Sequence, residues 1–215
     1  MSEQQSDDGV ALLWPTVMLK RTVPGAEIAN QALAALVLEL EAGNAALTTD
    51  YRTGNLLVID HPAIQWLREC INRTIADYFR SIGMRYSIDW TVHGWANVNR
   101  LGDYHDPHNH PHCYLSGTYY VQVPTDRAPL RSRKDVRPGC ITFYDPRGPA
   151  VNMAAIRDDP YINPEHTVAP RPGQILLWPA FLTHFVHPNL SETPRISISF
   201  NVMLKWSDAY LPAQD

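Results

Sequence analysis

The spacing of apolar residues changes period near residue 86, and that change limits what the chain can fold into. Before it, Ile64, Leu67, Ile71, Ile75, Tyr78 and Ile82 recur at the intervals of one helix face. Asp60 is placed to cap this helix, Pro62 suits its first turn, and Gly83 suits its end. After it, Ile88, Trp90, Val92, Gly94, Ala96 and Val98 alternate with Ser87, Asp89, Thr91, His93, Trp95 and Asn97, the repeat of a strand. Further strands are expected over Leu115–Val123, Ile141–Tyr144, Gln174–Trp178 and Arg195–Leu204, separated by loops with Pro and Gly. Upstream, Leu13, Pro15, Val17 and Leu19 suggest a first strand. Ile28, Ala32, Leu36 and Leu40 suggest a helix between the Pro24-Gly25 turn and Gly43. Helices followed by many short strands predict a mainly β fold with flanking helices, a sandwich or barrel packed against the N-terminal helices.

One domain over residues 1–215 is expected, a length that β folds reach undivided. Residues 1–9 are polar enough to fray, 10–85 hold the first strand and the helices, and 86–205 the β core. The loops 124–139 and 145–165 are long enough to wall a binding site. The run Arg131-Ser-Arg133-Lys134-Asp-Val-Arg137 within the first reads as a solvated loop. A net charge of −4 argues against nucleic-acid or membrane-surface binding. Cys70, Cys113 and Cys140 are an odd, scattered set without a disulfide framework, the N-terminal residues are acidic, and no apolar run is long enough for a membrane span. A cytoplasmic protein is expected.

Four of the nine histidines fall within His105–His112. Neutral imidazole is the commonest metal ligand, and side chains two apart in an extended segment share a face. His108 and His110 can therefore converge on one ion, His112 can extend the row, and His184 or His187 can add a ligand from elsewhere. His105 and His112 are candidates for the surrounding shell, whereas His61, His93 and His166 are expected to carry no chemistry. In the last strand Ile196, Ile198, Phe200, Val202 and Leu204 form an apolar face, and Arg195, Ser197, Ser199 and Asn201 a polar one. That polar face is either washed by solvent or lines a polar ligand, which a guanidinium and nearby hydroxyls would suit.

Pro179, Leu182, His184, Val186 and Pro188, followed by Arg195 and Ser197, resemble the distal half of the non-haem iron, 2-oxoglutarate-dependent dioxygenases. His108-Asn109-His110-Pro111, followed by Ser116-Gly117-Thr118-Tyr119-Tyr120, is similar to a bacterial and phage branch of that superfamily. The resemblance spans roughly residues 90–204. It implies a double-stranded β-helix (jelly-roll, cupin-like) core, Fe(II) and 2-oxoglutarate as cofactors, and hydroxylation of an unidentified small molecule or peptide. Residue by residue, it implies that His108, His110 and His184 are the metal ligands. Arg195, helped by Ser197, would hold the far carboxylate of 2-oxoglutarate. Asn97, Tyr120 and Asn201 are further candidates to touch cofactor or substrate, and since Tyr119 and Tyr120 point oppositely, at most one of them enters the site. The superfamily usually has Asp or Glu where His110 stands; three neutral imidazoles leave the ion more electrophilic, and Asp103 or Asp106 are alternative ligands. Two other readings remain: a cupin-type three-His metalloenzyme without 2-oxoglutarate, and a jelly roll that binds metal or ligand without turnover. A homodimer is compatible with the sequence.

Overall fold

The computed structural model describes residues 15–44, 54–84, 87–126, 137–147 and 163–205. Residues 1–9, expected to fray, Leu13 and most of the loops 124–139 and 145–165, with Arg131, Arg133 and Lys134, lie outside the described residues. Helix α1 spans Ala26–Gly43 and helix α2 Pro62–Ser81. In α2, Ile64, Leu67, Ile71 and Ile75 are fully buried along one face, as their spacing requires. Its cap is His61 rather than Asp60. The His61 Nδ1 accepts from the Ala63 amide at 3.2 Å, while Asp60 accepts from the Gln65 side chain. Pro62 sets the register: with it as the first helical residue, the capping position falls on residue 61. In α1 the buried stripe is Ala26, Leu33 and Val37, and Ile28 is 83% exposed. Residues 32–38 are apolar all round, so periodicity does not choose the face; packing against α2 and the sheet does.

The described strands form two antiparallel sheets. One has the order β1 (Leu19–Thr22), β7 (Gln174–Pro179), β4 (Leu115–Gln122), β9 (Arg195–Leu204) and β2 (Trp90–Asn99). The other has β3 (His105–His108), β8 (His184–Val186), β5 (Ile141–Tyr144) and β6 (Glu165–Val168). From β2 onward the chain crosses between the sheets at every step except β5 to β6, the interleaving of a double-stranded β-helix. Strands β3, β6 and β8 have no counterpart in the periodicity. Each is three or four residues long, and β3 contains Pro107, tolerated on a sheet edge where the register also breaks.

The five-stranded sheet is two-faced. Ile196, Ile198, Phe200 and Val202 of β9 join Val98, Tyr119 and Ile175 in one core with Leu33, Leu67 and Ile71 of the helices. Packing there is tight at Gly117, where a Cβ would lie 2.7 Å from the Leu176 carbonyl oxygen. The opposite face turns Arg195, Ser197 and Ser199 toward the second sheet, so the polar face of β9 lines a cavity rather than meeting solvent. Tyr119 enters the helix-side core and Tyr120 the cluster between the sheets with Ile141, Phe143, Leu176 and Trp178. Among the described residues, no helix is long and apolar enough to cross a membrane.

Candidate metal centre

Strands β3 and β8 pair so that His108 stands opposite His184. Their rings lie 4.3 Å apart between centroids. His110 lies beyond the end of β3 and is held by its amide donating to the Ala180 carbonyl at 2.9 Å. Its ring sits 5.2 Å from His108 and 5.3 Å from His184. The three rings each offer one nitrogen, and these nitrogens fall within 4.8 Å of one another, close enough to share an ion. The Nδ1 of His184 faces the Leu182 carbonyl at 3.0 Å, and that of His108 the Asp106 carbonyl at 2.6 Å. A carbonyl only accepts, so each Nδ1 carries a proton, which leaves Nε2 as the nitrogen each ring can offer to a metal. Burial, reinforced by the neighbouring His108, pushes His184 down to about 3 and His110 to about 4. Both rings are therefore neutral at pH 7, as ligation requires.

The other end of the cavity holds a charge without a counter-charge. Arg195 is 2% exposed, donates through Nη2 to Asn99 Oδ1 at 2.6 Å, and leaves its Nε without a partner. Among the described residues, no carboxylate pairs with it. Tyr120 lines the same space, and burial raises its phenol to about 12, so it remains a neutral hydroxyl. Asn97, directly opposite Ser197, donates to Ser199 Oγ at 2.9 Å and leaves its Oδ1 unpartnered. Ser197, Ser116 and Thr118 complete the polar wall; Ile141, Trp178 and Val186 form the apolar one.

Thus His108, His110, His184, Arg195, Ser197, Asn97 and Tyr120 share one cavity, while Asn201, two residues further along β9 than Ser199, does not line it. His112 is exposed in a left-handed turn (φ 70°) and does not extend the row. His187 bonds Thr142 Oγ1 through Nε2 at 2.7 Å, outside the cavity. Asp103 accepts from the Arg100 amide in a turn, and Asp106 is exposed; the imidazole cluster contains neither. His105, expected in the surrounding shell, lines the cavity, whereas periodicity did not mark Trp95 or Trp178 as cavity residues. Trp95 packs against His110 with ring centroids 6.0 Å apart, and Trp178 sets its edge against His184 at 5.0 Å.

A sequence profile of the family described as "Putative 2OG-Fe(II) oxygenase" matches residues 93–201, which is more than half of the chain and contains every cavity residue named above. The chain belongs to the 2OG-Fe(II) oxygenase family. Its fold is similar to that of a Pseudomonas putida prolyl-4-hydroxylase (14% identity, 86% of this chain and 85% of that one, TM-score 0.53). It is similar also to HygX from Streptomyces hygroscopicus, solved with nickel and 2-oxoglutarate bound (15% identity, 87% and 82%, TM-score 0.52). A third is the non-heme alpha ketoglutarate dependent epimerase SnoN from nogalamycin biosynthesis (16% identity, 86% and 76%, TM-score 0.57). Among curated proteins, none matches this sequence.

The cavity fits the cofactors of this 2OG-Fe(II) oxygenase. Three imidazole nitrogens within reach of one another suit a divalent iron, and a buried guanidinium without a counter-ion among the described residues suits a dicarboxylate.

Proposed function

We propose that this 2OG-Fe(II) oxygenase holds iron through His108, His110 and His184, anchors 2-oxoglutarate through Arg195 and Ser197, and hydroxylates a C–H bond of a small molecule or a peptide. The observation that carries the reading is one cavity with three converging imidazoles at one end and, at the other, a buried cation that no described carboxylate pairs. When bound, iron and 2-oxoglutarate supply the oxidising power, consuming oxygen and releasing succinate and carbon dioxide as a hydroxyl is placed on the substrate. The residues of the chain bind, orient and exclude water. Arg195 fixes the far carboxylate of the co-substrate, and the Ser197 and Tyr120 hydroxyls can add hydrogen bonds beside it. Trp178, Ile141 and Val186 wall off solvent, which strengthens every polar contact inside. Having His110 in place of a carboxylate adds no negative charge, so the ion draws an anionic co-substrate more strongly.

The fold serves a prolyl-4-hydroxylase and an epimerase alike, so it does not choose the substrate. Residues 1–215 are read as one domain, since the helices and the larger sheet share a core. A cytoplasmic location is read from Cys70, Cys113 and Cys140, all free thiols. The net charge of −4 argues against nucleic acid as a partner.

In air, Fe(II)-loaded protein with 2-oxoglutarate should release succinate, slowly without substrate and faster with the right one. Arg195→Ala should abolish the signal. Succinate formed equally well by that variant would remove Arg195 from the proposed role.

A further inference from the structure

Asn99 stands beside Arg195, the buried cation of the cavity. It ends the cavity-facing row of β2 directly opposite Arg195 in the antiparallel pair, and is fully buried. Its side chain has two partners. Arg195 Nη2 donates to Asn99 Oδ1 at 2.6 Å, and Asn99 Nδ2 faces His105 Nε2 at 3.2 Å. A guanidinium can only donate, so the atom facing it is the amide oxygen and the orientation of the Asn99 side chain is fixed. The remaining NH2 can only donate, so His105 Nε2 accepts and the proton of that ring sits on Nδ1. Asn99 is itself pinned: its carbonyl accepts from Asn189 Nδ2 at 2.9 Å, which ties the end of β2 to the turn before β9.

An uncharged residue here has a consequence for ligand binding. A carboxylate at position 99 would satisfy Arg195 internally and leave nothing for an incoming anion; an amide orients the guanidinium and leaves its charge uncompensated. We propose that Asn99 is a positioning residue for co-substrate binding, fixing Arg195 and His105 in one chain while keeping the Arg195 charge available to the far carboxylate of 2-oxoglutarate. This rests on the assignment of Arg195 to that carboxylate.

The test is anaerobic calorimetric titration of Fe(II)-loaded protein with 2-oxoglutarate and, separately, with oxalate, which chelates the metal but has no far carboxylate. Asn99→Asp should weaken 2-oxoglutarate by about tenfold or more, the scale of one well-placed charge contact, and leave oxalate unchanged. In an Arg195→Gln background the same change should have no further effect on 2-oxoglutarate, because the two residues act as a unit. Asn99→Ser, which adds no charge, provides a second variant: it should weaken 2-oxoglutarate less than Asn99→Asp and again spare oxalate. Wild-type affinity for 2-oxoglutarate in Asn99→Asp, or equal loss of both ligands in Asn99→Ser, overturns the role of Asn99 alone. Failure of the unaltered protein to bind 2-oxoglutarate while it binds oxalate overturns the assignment of Arg195 and this inference with it.

Discussion

His110 and Arg195 show how two single residues set the chemistry of the cavity. His110 supplies a neutral donor where a carboxylate is usual in the family. Arg195 supplies a charge that every described partner leaves unbalanced. The histidines also tie stability to pH. An unfolded imidazole titrates near 6.5, whereas burial holds His105 and His110 at about 4 and His184 at about 3 in the fold. As pH falls, the unfolded chain takes up these protons first. The stabilisation is complete above about 6.5 and is lost progressively as pH drops through the folded values. Melting of the metal-free protein should therefore show Tm falling between about pH 7 and about pH 4, and His110→Gln should flatten part of that slope. A level Tm over the range in the unaltered protein would contradict the buried, neutral state. At this scale the sequence was informative about His108, His110, His184 and Arg195, which stand in recognisable order. It was silent about Asn99, although Asn99 continues the row His93, Trp95, Asn97 by one more step. Its role depends on facing Arg195 across the sheet, and pairing register is not written in one strand.

Elements that bury a regular face were legible, and those held only by their neighbours were not. Strands β5 and β9 begin and end as their apolar spacing predicts, and helix α2 follows its spacing as far as Tyr78, because each buries one face against a continuous core. Strands β3 and β8, which carry His108 and His184, left no periodic trace. They are short and polar, and their geometry comes from pairing with each other across an irregular register. The face of α1 was misjudged because its middle is apolar on all sides. Strand β4 depends on Gly117 for its fit beneath Phe200 and beside β7. Gly117→Ala should destabilise the fold by about 1–3 kcal/mol, the range for overpacking a filled core, as read from the shift in urea midpoint. An unchanged midpoint would mean that the sheet and Phe200 can move apart at no cost.

On the scale of the whole molecule, the division of labour follows from the two-faced large sheet. Its outer face packs against the helices in one core; its inner face and the small sheet enclose the polar cavity. The polar row of β9 was open to two readings until its burial was known, and Arg195 at 2% exposure decides between them. In the proposed function one cavity joins a three-histidine iron site to a guanidinium anchor for 2-oxoglutarate. Mixing the protein anaerobically with Fe(II) and 2-oxoglutarate tests this through the visible charge-transfer band of the iron chelate. The band should form in the unaltered protein and be lost in Arg195→Ala at the same ligand concentration. No band, together with 2-oxoglutarate bound equally well by Arg195→Ala, would contradict it.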